Sequence, residues 1–242
     1  GGLTVAMHPT NYKTWLFFGT GRLMTPGDMT NDDVQSMYGI IDDGTPLVRN
    51  GAGANLTQRN AVLVGAVNGK SVRAFESNSP LPSGSKGWYL DLLTPPSGVA
   101  EGERIVTAAQ VLGSGKKTAL VTSSAIPTAS ACQSDGRGYI NALDAFTGTS
   151  LSSPFFDTDG DGRFDDETLT AADGTKLPVG SVDLGVGMPT LPNLMSGGSG
   201  NGVGTPPGMM CGTGSNGQVV CVPYDDIRNL GRVSWREIKR GN

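Results

Sequence analysis

The run Asp157-Thr158-Asp159-Gly160-Asp161-Gly162-Arg163-Phe164-Asp165 places four carboxylates at positions 1, 3, 5 and 9, around a glycine at position 6. That spacing suits a hard cation taking about six to eight oxygen ligands, which points to calcium. Gly162 permits the sharp turn that folds the carboxylates inward. The carbonyl of Arg163 falls at the position-7 place. The predicted ligand set is therefore Asp157, Asp159, Asp161, the Arg163 carbonyl and Asp165. Four like charges so close together repel one another, so a compensating cation is expected. The alternative is a solvated acidic loop.

The run departs from an EF-hand. Thr168 stands at position 12, where an EF-hand carries its bidentate Glu; Glu167 is one place early, with Asp166 before it. The flanks, Ser152-Ser153-Pro154 and 171–178, are not helical in pattern. The reading is a free-standing DxDxDG loop between non-helical segments. A bidentate ligand is left open among Asp165, Asp166, Glu167 and distant residues.

Other chemistry is sparse. His8 is the one histidine of the chain and sits in an N-terminal stretch expected to be mobile. Neither a Ser-His-Asp nor a Cys-His arrangement can be built around any other imidazole, and a mixed Cys/His zinc site is disfavoured for the same reason. Gly19-Thr20-Gly21-Arg22 lacks the third glycine of a dinucleotide fingerprint and reads as a strand-end turn. Asn55-Leu56-Thr57 is an N-glycosylation triplet by pattern alone, and Asp42-Asp43 and Asp225-Asp226 read as turn and surface groups. The pattern predicts a binding protein, not an enzyme.

The elements that must hold this loop are strands. Glycine contributes 37 and proline 15 of 242 residues, charged residues are 17%, and helical periodicity is hard to find. Many turn formers between short β-branched runs predict an all-β chain with long loops. A net charge of −4 and a pI near 5.0 argue against a nucleic-acid partner. No stretch reaches the length of apolar sequence that a spanning helix needs. The opening Gly1-Gly2-Leu3 is neither an initiator methionine nor a signal peptide, so 1–242 is expected to be one unit cut from a longer chain.

Candidate strands are Trp15–Phe18, Met37–Ile41, Ala61–Val64, Ser71–Phe75, Gly87–Leu92, Arg104–Thr107, Thr118–Thr122, Tyr139–Asp144, Val182–Val186 and Val219–Val222, with Asn68-Gly69 as a two-residue hairpin turn. Residues 211–221 read as a hairpin with a Ser215-Asn216-Gly217 loop, Gly217 left-handed, 214 opposite 218 and Cys211 opposite Cys221. That register favours a Cys211–Cys221 disulfide, and with it an oxidising compartment, over two reduced thiols or metal ligands. Cys132 is left without an assigned partner.

Tyr38-Gly39-Ile40 and Tyr139-Ile-Asn-Ala-Leu-Asp144-Ala-Phe-Thr-Gly148 are aromatic-led strands closing in turns, and the second carries an Ala-Leu-Asp-Ala-x-Thr-Gly run similar to blade edges of quinoprotein-like β-propellers. At about 40–50 residues per four-stranded blade the chain would hold roughly five units; a β-sandwich is the alternative. Phe18-Gly-Thr-Gly-Arg22, Gln35–Ile40, Gly87–Leu92, Gly102–Thr107, the Cys132 region leading to Gly148, Asp157–Asp165 and Gly231–Glu237 occur in one order along the chain. Together they resemble the C-terminal domain of PilY-type proteins, the tip-associated adhesins and biogenesis factors of type IV pili.

The resemblance implies the later part of a modified β-propeller of about seven blades and a calcium ion on the 157–165 loop. It also implies export through the periplasm to an extracellular pilus tip, and a part in pilus assembly, twitching motility and adhesion. Minor pilins, the remaining N-terminal part of the same protein and a surface or host ligand would be its partners. No Arg-Gly-Asp tripeptide occurs in the chain. The competing expectations are a fragment of a secreted quinoprotein-type dehydrogenase, in which calcium would hold a quinone, and a calcium-stabilised scaffold without a regulatory role.

Overall fold

The computed structural model describes residues 2–95, 97–114, 117–128, 136–196 and 208–227. Cys132 and the 231–237 segment lie outside the described residues. In chain order the strands are β1 (Leu3–Met7), β2 (Thr14–Gly19), β3 (Ser36–Ile41), β4 (Thr57–Arg59), β5 (Ala61–Val67) and β6 (Lys70–Phe75). They continue with β7 (Gly87–Asp91), β8 (Leu93–Thr94), β9 (Val99–Ala100), β10 (Gln110–Ser114), β11 (Lys117–Ile126) and β12 (Arg137–Asp144). The last are β13 (Thr168–Thr170), β14 (Lys176–Pro178), β15 (Ser181–Val182), β16 (Asn193–Met195), β17 (Gly208–Thr213) and β18 (Val219–Tyr224). One short 3-10 helix, Pro26–Met29, is the helical element among the described residues. The all-β expectation holds.

Two large sheets organise the chain. One has the order β1-β2-β3-β7-β4 and the other β10-β11-β12-β15-β6-β5; a β16-β17-β18 sheet and the pairs β13-β14 and β8-β9 complete the set. Neighbours are antiparallel except β4 and β7. The described strands thus form sheets of five, six, three and two strands, and no closed propeller is seen among them.

Each large sheet has its own apolar core. Trp15, Phe17, Met37, Trp88, Leu90 and Phe146 pack behind the five-stranded sheet. Val72, Val121, Ile140, Phe155, Phe156 and Tyr224 pack between the six- and three-stranded sheets. Trp88 shows how sequence motifs serve the first core. Its indole N–H donates to the carbonyl of Ala145 at 2.9 Å. Its ring fills a slot left by two glycines, since a Cβ at Gly39 or Gly148 would fall 2.5 or 2.4 Å from it. Gly148 also needs its positive φ of 71° to close the turn after Asp144. The Tyr-Gly-Ile and Thr-Gly pieces that suggested blades are therefore the walls of a tryptophan pocket.

Several elements depart from expectation. The N-terminal stretch is not free. Leu3–Met7 pairs along its length with β2, and the His8 ring sits 4.5 Å from that of Phe146. Sequence reading overlooked β1 because its inward residues, Thr4 and Ala6, are small. Arg104–Thr107 forms a single bridge, to Ala125, and not a strand. The Arg104 side chain turns inward and donates to the carbonyls of Gly102, Arg22, Asp28 and Asn31 at 2.6–2.9 Å, fixing the preceding loop. Val182–Val186 contributes only its first residue to β15; the remainder bends, with Gly185 and Gly187 at positive φ. The Asn68-Gly69 turn is as expected, both residues having positive φ.

Candidate metal centre

The 211–221 hairpin anchors the site from below. Cys211 lies opposite Cys221, and Gly217 has φ 78°. The predicted disulfide joins Cys211 and Cys221. It locks β17 to β18, and β18 then holds the entrance of the acidic loop. Asp157 N–H donates to Pro223 O at 3.0 Å, Asp225 N–H donates to Phe155 O at 2.8 Å, and Phe156 bridges Tyr224. Phe155 and Phe156 are buried beside Tyr224, so Asp157 emerges straight from the core.

The loop is shaped by its own carboxylates. Asp157 accepts N–H bonds from Gly160 at 2.6 Å and from Gly162 at 2.9 Å, one on each oxygen. Asp159 accepts from Asp161 N–H and Asp161 from Arg163 N–H. These short-range bonds are the turn chemistry for which Asp is favoured. Gly160 and Gly162 take φ of 80° and 82°, which lets the chain reverse twice within six residues.

Glu167 comes back to the same place. Its carboxylate accepts from Thr158 N–H at 2.5 Å and from Thr158 Oγ–H at 2.9 Å, with Asn68 Nδ2 at 3.4 Å. The β5–β6 turn supplies the outer support: Asn68 also donates to Thr158 Oγ1, and Lys70 Nζ donates to the Thr158 carbonyl.

Two overlapping groups of carboxylates result. Asp157, Asp159 and Glu167 each bring an oxygen within 4.8 Å of the others, and so do Asp159, Asp161 and Asp166. Asp157 and Glu167 are fully buried, whereas Asp159, Asp161 and Asp166 are exposed. Burial pushes the carboxyl of Asp157 above its ordinary value, against the two glycine N–H bonds and with help from the Asp159 charge. Burial raises Glu167 in the same way, opposed by the Thr158 bonds and reinforced by Asp166 and Asp159. Neither residue is ion-paired among the described residues.

Of the predicted ligands, Asp157, Asp159 and Asp161 are brought together. Arg163 follows in the loop with an exposed side chain. Asp165 lies outside both groups, exposed, 3.6 Å from Arg163 Nε. Glu167 and Asp166, the residues left open by the spacing, complete the two groups. An all-oxygen donor set without nitrogen or sulfur is the kind that holds a hard cation. This acidic cluster could hold a metal ion. The signal for Glu167 in the sequence was its place one short of position 12; the burial that singles it out could not be read there.

No protein-family model matches the chain. It is 35% identical over 238 residues to a type IV pilus biogenesis factor PilY1 homolog of Xylella fastidiosa, covering 97% of this chain and 17% of that protein. A second PilY1 homolog of the same organism is 30% identical over 150 residues, covering 61% of this chain and 10% of its own length. The chain therefore spans a small part of the relatives it matches. In fold it is similar to the crystal structure of the Pseudomonas aeruginosa PilY1 C-terminal domain, with a TM-score of 0.68 and 21% identity over 93% of this chain and 44% of that one. With the motifs in order along its length and the matching fold, the chain belongs to the PilY1-type family of type IV pilus biogenesis factors.

Proposed function

We propose that this chain is the calcium-binding part of a type IV pilus biogenesis factor, acting outside the cell at the pilus tip and carrying no catalysis of its own. The observation that carries the metal assignment is the pair of buried carboxylates, Asp157 and Glu167, grouped with Asp159 and unpaired by any side-chain cation among the described residues. Burying ionised carboxylates without a counter-charge is costly, and a bound divalent cation supplies that charge. The DxDxDG spacing and the all-oxygen donors select calcium over softer metals. Asp157, Asp159, Asp161 and Glu167 would be the side-chain ligands, with the Arg163 carbonyl and Asp165 or Asp166 closing the shell.

This reading includes a modified β-propeller, of which the chain would form the later part. In this reading the pilus-facing partners are minor pilins and the rest of the same polypeptide. Calcium would order the 157–167 loop and so bias a surface presented to the pilus machinery, supporting pilus assembly, twitching motility and surface attachment. The bias cannot exceed the difference in calcium affinity between the two loop states.

Isothermal calorimetry tests the first step. Extracellular calcium modules bind as weakly as about 10⁻⁴–10⁻³ M, and the double variant Asp157→Ala/Asp161→Ala is expected to lose binding in that range. Unchanged affinity would sink the metal assignment. Twitching and attachment of cells carrying the same variant test the second step. If calcium binding is lost and both behaviours persist, calcium only stabilises the fold.

A further inference from the structure

Asparagine followed by glycine is a dipeptide open to spontaneous change, because the glycine nitrogen has no neighbouring side chain to shield it from the asparagine amide carbon. The chain carries four such pairs, beginning at 50, 68, 201 and 216. Those at 50, 68 and 216 lie among the described residues, and both members of each are exposed. Asn68 differs in what its amide touches. Its Nδ2 donates to Thr158 Oγ1 at 3.0 Å and to Glu167 Oε1 at 3.4 Å, and Glu167 is fully buried. At the other two pairs the amide meets neutral groups. Tyr89 Oη donates to Asn50 Oδ1, and Asn216 Nδ2 donates to the Gly185 carbonyl.

We propose that Asn68-Gly69 is a deamidation site whose reaction is held back by the acidic loop and whose product adds a carboxylate to that loop. The Gly69 nitrogen gives up its proton to solvent base and bonds to Cγ of Asn68. The Cγ–Nδ2 bond breaks, and ammonia leaves with a proton taken from water. Water then opens the five-membered imide, leaving aspartate or isoaspartate at position 68. Attack needs Cγ within about 3–3.5 Å of the Gly69 nitrogen, in line with it. An amide tied outward to Thr158 and Glu167 resists the rotation over its own backbone that this requires. Space around Gly69 is open, since a Cβ there would meet nothing within 4 Å. The anchor, and not crowding, is therefore the restraint.

The product reverses the chemistry of the contact. Where Nδ2 donated, a carboxylate oxygen only accepts, and it stands beside Glu167 as a like charge. Asp157, Asp159 and Glu167 are already grouped there, so the modified loop depends on a cation more than the original does. The deamidation rests on the hydrogen bonds alone. The stronger dependence on a cation rests on the calcium reading above.

Peptide mapping by mass spectrometry of the full-length protein, aged at mildly alkaline pH, reads the first claim. Conversion at 68 is expected to be on the order of tenfold slower in the folded protein than in denaturant, and Thr158→Val/Glu167→Gln should close most of that gap. The pairs at 50 and 216 should keep their folded rates in the variant, which also shows that it folds. Conversion at 68 as fast in the folded, unsubstituted protein as in denaturant overturns the proposal, and that comparison needs no variant. A rate at 68 that ignores the double substitution overturns it too. Asn68→Asp makes the product directly and reads the second claim. The rise in melting temperature on adding calcium to the chelated protein should be larger in Asn68→Asp than in the unsubstituted protein. An equal rise overturns the second claim and names Lys70, whose Nζ donates to the Thr158 carbonyl, as the group that neutralises the new charge. If the unsubstituted protein binds no calcium by calorimetry, the calcium reading falls and takes the second claim with it, while the rates at 68 still decide the first.

Discussion

Two of the places where this molecule buries carboxylates are treated in opposite ways. Glu103 is 2% exposed and meets Arg73, itself 4% exposed, through two bonds of 2.7 Å, with Ser124 donating to the same carboxylate. Asn141 accepts from Arg73, whose guanidinium lies 3.7 Å from the centre of the Tyr139 ring. Burial pushes Glu103 upward, but the Arg73 charge and bonds outweigh it and hold the carboxyl below its ordinary value. At the acidic loop the same desolvation goes unopposed by a side-chain cation, and Asp157 and Glu167 are raised. The first site carries its counter-ion in the sequence. The second has no such cation among the described residues, and a metal ion from outside could complete it.

The largest way to break the comparison is to make the first site resemble the second. Glu103→Gln leaves a buried guanidinium without its counter-charge and is expected to cost about 3–5 kcal/mol. Denaturant unfolding reads this, with calcium affinity by calorimetry unchanged. A loss under about 1 kcal/mol would mean that Arg73 finds other compensation.

Next is the clamp beneath the loop. Replacing Cys211 and Cys221 by Ser opens a disulfide spanning 10 residues, worth about 2–3 kcal/mol by loop entropy. Because β18 holds Asp157 through Pro223, calcium binding should weaken as well, whereas Glu103→Gln should leave it alone. Equal calcium affinity in the serine variant would show that the loop holds its own shape.

The smallest effect is in pH. Glu103, held low, contributes stability that is fully present above its ordinary 4.5 and is lost as pH falls through its lower folded value. Asp157 and Glu167, held high, act in reverse. Their ionisation costs stability above the raised folded values, and that cost is relieved as pH falls through them toward the ordinary 3.8 and 4.5. With calcium chelated, melting temperature should therefore rise slightly as pH falls from neutrality toward that window. With calcium saturating, protons compete with the ion and the slope should reverse. The same slope in both conditions would mean that no ion occupies the buried pair.

How much was legible beforehand depends on how local each cause is. The Asn68-Gly69 turn, the 211–221 register and the DxDxDG loop all follow from residues a few places apart, and all were readable. Edge strand β1 was missed because its alternation is inverted relative to its core face. Arg104 looked like part of a strand because the sequence shows its apolar neighbours and not the four carbonyls it serves. Glu167 was one of several open ligands; that it is fully buried depends on Thr158 and Asn68, the latter 99 residues away.

The sequence by itself determined the chemistry of the loop: oxygen ligands at calcium spacing, two glycines for the reversals, and cysteines placed to pair. Tertiary structure decided which carboxylates are taken out of water and which are left in it. That choice depends on contacts with the β5–β6 turn and with β18, brought to the loop from both sides in sequence. Desolvation is a property of surroundings and not of spacing, so the same four aspartates could be a solvated loop or an ion site until the fold closes around Asp157 and Glu167.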